Sequence, residues 1–392
     1  MIPKLTFNDS IWNAYELKDI VSFSKGKNVS LDIVTETGFP AMMYGDIYIK
    51  YDTFFNKVDY CIPIELSKDS TIIDKNTILM TCTGETAIDI GKSVCYLGET
   101  PICIGGDILA LKCTDNTDAK FLCLQLNTYD KIKERARLSQ GHSVVHLYQH
   151  HIEKSKIYKP DIATQTKIAT FLNLYYKKIE LQKKKVEQLN KLFTKAIDKI
   201  SHLIDKKIPF CQCYVKASEG GTPSTTYTEY YENGTIPFVK IEDLYKKFIY
   251  NTQSFITELG LKKSSAWLIP INSVIYSNGA TIGEISLNKI EVATKQGILG
   301  IVPQEFLLSE FLYYYMKTEY FRREICKITT HGTMMCAYLK DIDKIDMYIP
   351  DINTQKNELN KLNTIYKKIE LEKQKLETME KYKQGLLQQL FI

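Results

Sequence analysis

Apolar side chains in residues 160–200 recur at 168, 172, 175, 179, 186, 189, 193 and 200, with Gln182 and Ala196 on the two intermediate positions. Alternating steps of four and three residues make the heptad seam of a coiled coil, here over about five repeats. A second run lies further on: Leu362, Ile365, Ile369, Leu376, Met379, Leu386 and Leu390, interrupted by Glu358, Glu372 and Lys383. Each run follows a strand-like segment that stops at a proline, Ile157-Tyr158 before Pro160 and Met347-Tyr348-Ile349 before Pro350. Thr164 and Thr354 are the expected N-caps. The pattern predicts two helices of about 37 residues, or about 55 Å each. A helix this long with one apolar stripe needs a partner, and the simplest is the other copy. An antiparallel pair with a globular half at each end satisfies the connectivity.

The two runs are copies. Pro160-Asp-Ile-Ala-Thr-Gln165 returns as Pro350-Asp-Ile-Asn-Thr-Gln355, and Tyr176-Lys-Lys-Ile-Glu-Leu181 as Tyr366-Lys-Lys-Ile-Glu-Leu371, both at an offset of 190. Residues 160–200 and 350–390 are identical at 17 of 41 positions, far above chance. Fainter echoes lie upstream. Tyr148 and Ile152 match Tyr338 and Ile342; Phe121-Leu122 matches Phe311-Leu312; Ile108-Leu109 matches Ile298-Leu299; and Thr83-Gly84 has a counterpart in Asn278-Gly279. The rest of each half is unlike the other. The chain repeats a frame and varies its contents, which is an internal pseudo-two-fold repeat.

The contents read as short strands and turns punctuated by Gly, Asn and Asp, with a helix near 118–138 in one half and near 304–327 in the other. The class is α+β. Tyr, Thr, Ser, Asn and Lys crowd segments such as 43–51 and 220–227, side chains suited to base edges and phosphates and equally to any polar loop. Charge is unevenly distributed. Residues 164–200 carry a net +6 and residues 354–390 a net +3, against +5 for the whole chain, so the remainder is net negative at −4. The globular halves therefore lack the bulk basic character usual in DNA binders. Basic groups are nearly all Lys; the arginines are Arg135, Arg137, Arg322 and Arg323.

Several chemistries are excluded or weakened. No run of about 18 apolar residues is present, as a membrane span requires. Residues 1–10 have no secretory signal pattern, and the ten cysteines form no framework and no CxxC. Together these point to a cytoplasmic protein with reduced thiols. Gly84 to Gly91-Lys92-Ser93 has six residues between its glycines, where a phosphate loop has four. There is no Asn-Pro-Pro-aromatic or Asp-Pro-Pro-aromatic segment and no Gly-x-Gly loop after a strand, the marks of an amino-methyltransferase. Pro160-Asp161 and Pro350-Asp351 lead into helices and not into a Glu-x-Lys strand, so they are helix starts and not nuclease motifs. His142, His146 and His150, with His151 adjacent, would share a face if helical and suit zinc; the second half has only His331 nearby, so no metal is assigned and the histidines are read as solvated or DNA-proximal.

These residues have a family. The opening Trp12-Asn-Ala-Tyr15-Glu-Leu17-Lys-Asp19-Ile20, then Gly38-Phe-Pro40 leading to Tyr44-Gly-Asp46-Ile-Tyr48, stand in the first half. Gly221-Thr-Pro-Ser224, Gly234-Thr-Ile-Pro237-Phe-Val-Lys240 and Asp243-Leu244 stand in the second, and both halves carry the Pro-Asp-Ile-x-Thr-Gln helix start. In this order the chain resembles, over nearly its full length, the specificity subunit of type I restriction-modification systems. It departs from the pattern in lacking the Trp-x-x-Tyr-x-Leu opening in the second half, in having Thr-Gln where many members have Glu-Gln, and in having Gly141-His-Ser where Gly-Thr is usual.

The resemblance implies a target-recognition domain in each half: residues 1–157 and 207–347, with conserved long helices at 158–206 and 348–392. Each domain would read one part of a split site on double-stranded DNA, with the helices as spacer. Methyltransferase subunits would dock on the helices and frame, and a restriction and motor subunit would join them. The chain itself would be non-catalytic and cofactor-free, with S-adenosylmethionine, ATP and Mg in the partners. Motif and polarity nominate Lys25, Lys27, Tyr44, Tyr48, Lys50, Thr83 and Ser143 as DNA contacts in the first half. In the second they nominate Thr222, Ser224, Thr225, Lys240, Asn278, Lys295, Gln296 and Thr333. The competing readings are a coiled-coil scaffold with no DNA role and a DNA methyltransferase whose site the sequence hides.

Overall fold

The computed structural model describes residues 11–141, 143–203, 206–279, 281–330 and 335–391. The chain forms two compact units, residues 1–183 with 374–392, and residues 184–373. Each unit thus holds part of both long helices, Ile162–Lys199 and Ile352–Leu390.

In the first unit a five-stranded sheet runs in the order Val21–Lys25, Ile108–Cys113, Thr77–Thr81, Ser93–Tyr96, Phe54–Phe55. The pairs are antiparallel except the last, which is parallel. The second unit repeats this with Tyr214–Glu219, Ile298–Pro303, Val274–Ser277, Ile285–Asn288 and Phe248–Ile249, again parallel only at the final pair. Each unit adds a smaller sheet containing a second parallel pair, Phe39–Met42 with Ile102–Ile104 and Ile236–Val239 with Ala293–Thr294. The duplication therefore extends through the stretches whose sequences diverge. A two-stranded ribbon closes each domain: Asn13–Glu16 on Lys156–Lys159, and Lys206–Pro209 on Asp346–Ile349.

The helices near 118–138 and 304–327 are each two helices: Ala119–Leu126 and Tyr129–Leu138, then Ser309–Tyr315 and Glu319–Ile328. The first break falls at Asn127, whose side-chain amide donates to the Ser93 and Cys123 carbonyls while its Oδ1 accepts from the Ser93 N–H. Residues 44–49, in a half read as short strands and turns, are a short helix whose start is held by the Asp46 carboxylate accepting the Met43 N–H.

The heptad seam is the buried face of both long helices. In the first unit Ile168, Leu172 and Tyr175 of the first helix meet Tyr382, Leu386 and Leu390 of the second, joined by Phe121, Trp12 and Phe391. In the second unit Phe193, Ile197 and Ile200 share a core with Leu359 and Leu362. The helices run antiparallel within each unit. Each fully buried Leu or Ile contributes about 1.5–3 kcal/mol, so the seam outweighs the weak intrinsic stability of a long polar helix. The polar residues in the second seam have partners. Glu372 is 5% exposed and pairs with Lys185 and Lys368, at 2.8 and 2.9 Å. Lys383 leaves the seam for Asp52 and lies over the Tyr176 ring.

The N-caps differ from expectation. Asp161 and Asp351 cap the helices: each carboxylate accepts the N–H of Thr164 or Thr354 at 3.0 and 3.1 Å, and the threonine hydroxyl donates back to it. A carboxylate at a helix N-terminus also meets the positive end of the helix dipole. The following glutamine explains the rest of the motif. Gln165 is completely buried; its Oε1 accepts the Asp118 N–H and its Nε2 donates to the Pro160 and Asn116 carbonyls. Gln355 does the same with Leu308, Pro350 and Phe306. Each glutamine pins its helix to the globular domain before it.

Candidate nucleic-acid interface

Most of the nominated residues converge on one end of the five-stranded sheet in each unit. In the first unit the strand Val21–Lys25 leaves the sheet through Lys25-Gly26-Lys27, with both lysines exposed. The Gly26 N–H donates to the Ile108 carbonyl, and a Cβ there would stand 2.0 Å from the Gly105 carbonyl oxygen, so only glycine fits. Beside it, the strand Thr77–Thr81 continues through Cys82, whose N–H donates to the Asp107 carbonyl, into Thr83-Gly84, which pairs with Val145-His146. The Thr83 hydroxyl donates to Asp107 Oδ1 at 2.9 Å and lies 3.3 Å from His146 Nδ1. The Tyr48 hydroxyl is shared between Thr81 Oγ1 and the Thr83 carbonyl, at 2.7 and 3.0 Å, and burial raises its pKa above the usual tyrosine value.

The second unit builds the same corner. The strand Tyr214–Glu219 leaves through Gly220-Gly221-Thr222; the Gly220 N–H donates to the Ile298 carbonyl, and its Cβ would stand 2.0 Å from the Thr294 carbonyl oxygen. The Asn278 N–H donates to the Gly297 carbonyl as Cys82 does to Asp107, and Ala337 donates to the Asn278 carbonyl as Leu147 does to that of Cys82. Thr222 Oγ1 accepts the Gln296 N–H at 3.4 Å, and the Glu219 carboxylate accepts the Gly297 N–H. Asp243 caps the turn after Lys240 as Asp46 caps that after Met43.

The scaffold is common and its side chains are not. Lys25, Cys82, Asp107 and Met43 in one unit stand where Glu219, Asn278, Gly297 and Lys240 stand in the other.

The nominated residues divide by environment. Lys25, Lys27, Tyr44 and Ser143 are exposed, as are Thr222, Ser224, Thr225 and Gln296; Lys240 and Lys295 are half-buried. Thr83 and Tyr48 sit at the corner but are bonded within it. Lys50 lies outside it and is already paired: burial works against its charge, yet hydrogen bonds to Asp59, Asp46 and Tyr60 outweigh burial and hold its pKa above the usual lysine range. Asn278 is wholly buried, with its amide donating to the Ala337 carbonyl. Thr333, like His142 and His331, lies outside the described residues. Asp107 and Glu219 were missed, and His146 was noted with the other histidines as solvated or DNA-proximal but not nominated as a contact. Their chain neighbours, the Gly105-Gly106 turn, the histidine-rich segment and the Gly220-Gly221 pair, were the available signal.

The site offers little for catalysis. The Thr83 hydroxyl donates its hydrogen bond to Asp107 and not to His146, so Asp107, Thr83 and His146 are no nucleophile–base relay. Lys92 of the rejected phosphate loop turns inward to the Tyr48 and Tyr51 carbonyls. His146 is in a strand and His150 in the short helix Gln149–Ile152, so the histidines share no helical face. Among the described residues no group of three or more His, Cys, Asp or Glu can hold a metal, and no helix is long and apolar enough to cross a membrane.

Two units that repeat one frame and differ in the side chains it carries define a class of protein by architecture. The sequence profile of the type I restriction modification DNA specificity domain matches residues 10–191 and again 213–381. The chain belongs to the type I restriction-modification DNA specificity family, whose role is DNA sequence specificity and not catalysis. It is 24% identical, over 96% of its length and 91% of the relative's, to the type I restriction enzyme MjaVIII specificity subunit of Methanocaldococcus jannaschii. It is 27% identical to the EcoR124I/EcoR124II specificity subunit of Escherichia coli over 35% of each chain. The fold is that of the S subunit of a type I restriction-modification system from M. genitalium, with a TM-score of 0.58 at 16% identity, covering 100% of this chain and 99% of that one.

Proposed function

We propose that each unit reads one half of a split double-stranded DNA site through the corner described above, so that the assembled site is bipartite and asymmetric. The target-recognition domains are residues 1–157 and 207–347. Lys25, Lys27, Tyr44 and Ser143 of the first unit contact DNA, as do Thr222, Ser224, Thr225, Lys240, Lys295 and Gln296 of the second; Tyr48, Thr83 and Asn278 shape the corner from within. One observation carries this reading: the same backbone hydrogen bonds present different side chains in the two units, Lys25 in one and Glu219 in the other. A reader of unlike half-sites needs a common docking geometry with changed contacts.

The chain works in the cytoplasm with partner methyltransferase subunits and a restriction subunit, which supply S-adenosylmethionine, ATP and Mg chemistry. The helices 158–206 and 348–392 are the docking surface. Their outer faces support this, carrying Leu174, Leu181, Leu192 and Leu371 more than half exposed. Leu181 and Leu371 occupy matching positions of the repeat. Exchanging residues 207–347 for those of a relative, then sequencing the host's methylated adenines at single-molecule level, tests the reading. One half of the methylated motif should change and the other stay. A change in both halves, or in neither, overturns it. Methylation by this chain alone with S-adenosylmethionine would overturn its non-catalytic role.

A further inference from the structure

We infer that His146 is a specificity-determining residue of the first unit, reading a base that presents an exocyclic amino group, N6 of adenine or N4 of cytosine. The inference rests on the DNA-reading role just proposed and assigns it a named contact.

The geometry fixes which ring nitrogen carries the proton. The Asp107 carboxylate only accepts hydrogen bonds, and the Thr83 hydroxyl has a single proton, which it gives to Asp107 Oδ1 at 2.9 Å. Toward His146, Thr83 Oγ1 is therefore an acceptor. His146 Nδ1, 3.3 Å away, must be the donor. In the neutral imidazole the proton then resides on Nδ1, and Nε2 presents a bare lone pair. Among the described residues Nε2 has no hydrogen-bond partner; the ring's other contact is the stacked Tyr148 ring, 6.3 Å between centroids. His146 is half-buried in the ribbon Val145–His146 against Thr83–Gly84, so backbone pairing fixes its Cα while Thr83 fixes its ring.

Such a group is a pre-oriented acceptor at the rim of the corner. In the major groove the amino donors are N6 of adenine and N4 of cytosine, whereas guanine and thymine present acceptors at those positions. An acceptor that cannot change tautomer without losing its bond to Thr83 rejects guanine and thymine. Among the described residues the second unit has no counterpart. The Thr330 N–H donates to the Cys336 carbonyl as the Gln140 N–H donates to that of His146, so Cys336 occupies the equivalent position. A thiol offers only a weak donor and acceptor there. The reading by His146 is thus confined to the first unit's half of the site.

The test uses the complete complex, with this chain co-expressed with its methyltransferase partner and the methylated sites sequenced. His146→Ala should relax one position in the first unit's half, lowering discrimination against guanine and thymine there by about tenfold to a hundredfold, and leave the second unit's half intact. Thr83→Val, which frees the ring, should relax the same position to a smaller extent. His146→Gln keeps an acceptor and should preserve the amino-bearing base. An unchanged motif in His146→Ala overturns the inference. So does a uniform fall in methylation with the motif preserved, which marks a positional contact. Should His146→Ala reduce the amount of complex, binding of the Thr83→Val complex to duplexes varied at each base decides instead: a relaxed position in the first unit's half is expected, and undiminished discrimination at every position overturns the inference. Replacing residues 12–157 by a relative's distinguishes the two levels. If that exchange leaves the motif unchanged, the DNA-reading role itself fails; if the exchange alters the motif but His146→Ala does not, only the histidine assignment fails.

Discussion

Gln355→Met is the sharpest probe of how a recognition domain is fixed to its helix. The substitution keeps side-chain length and volume and removes all hydrogen bonding. Gln355 is fully buried and makes three bonds: it accepts from Leu308 N–H at 2.9 Å and donates to the Phe306 and Pro350 carbonyls at 2.8 and 2.9 Å. Each contributes about 0.5–1.5 kcal/mol net, and a partner left buried without a bond costs more. Phe306 is exposed enough for water to replace the glutamine there, so the expected loss is about 2–4 kcal/mol. The chain has two tryptophans, Trp12 in the first unit and Trp267 in the second. In a Trp12→Phe background, Trp267 fluorescence therefore reports the second unit alone during urea unfolding of the whole chain. With a slope of about 2 kcal/mol per molar urea, the midpoint should fall by about 1–2 M. The equivalent Gln165→Met, followed by Trp12 in a Trp267→Phe background, should give a comparable fall in the first unit. A shift under about 0.3 M in both would show that the buried amides are dispensable and that domain and helix are joined by apolar contacts alone.

Other measurements bear on the same architecture. Lys247, almost wholly buried, donates to Tyr314 Oη and Asn363 Oδ1, both at 2.8 Å, and pairs with Glu310; Lys247→Met should cost about 2–4 kcal/mol, less than a fully buried pair because Glu310 is partly solvated, read by the same Trp267 transition. Hydrogen bonds from Thr164 and Thr354 lower the pKa of Asp161 and Asp351. Because the folded-state values are depressed, these carboxylates stabilise the helices fully above about pH 4. That contribution is lost as pH falls through the folded-state values; the Asp161→Asn, Asp351→Asn double variant should flatten this acid limb in melting curves taken from pH 6 to 3. Cys211 and Cys326 are exposed, whereas burial pushes the Cys82 thiol up to about 11 and the Cys123 thiol well above its usual value. Iodoacetamide at pH 8 should therefore label Cys211 and Cys326 first, and Cys123 only after unfolding, as followed by mass spectrometry.

The long helices were legible in the sequence because their periodicity is local and their copies reinforce each other: the predicted seam positions are buried or half-buried, and Ala169, Ile197 and Leu359 join them in the packed face. The cap was misplaced by three residues because Asp161 and Thr164 bond each other and either type caps helices; which of them stands outside the first turn is a matter of backbone geometry. The shared sheet order could not be read where the halves differ, since strand pairing depends on burial pattern and not on identity. At the corner, motif and polarity led to exposed residues such as Lys25, Lys27, Thr222 and Gln296. They also nominated Asn278, whose role is internal hydrogen bonding. Asp107, and the tie between His146 and Thr83, escaped because these partnerships span 24 and 63 residues, a separation at which sequence spacing carries no signal.

One feature of the fold bears on how the molecule is made. The second unit is a single continuous stretch, residues 184–373, whereas the first needs residues 374–392 to cover Trp12, Phe121 and Ile168. During vectorial synthesis the second unit can mature as soon as its own residues leave the ribosome. The first, although made earlier, waits with its apolar helix face uncovered until Leu386 and Leu390 emerge. Of the two units, the one translated first is thus completed second, and that interval is when its exposed seam is open to aggregation or chaperone capture.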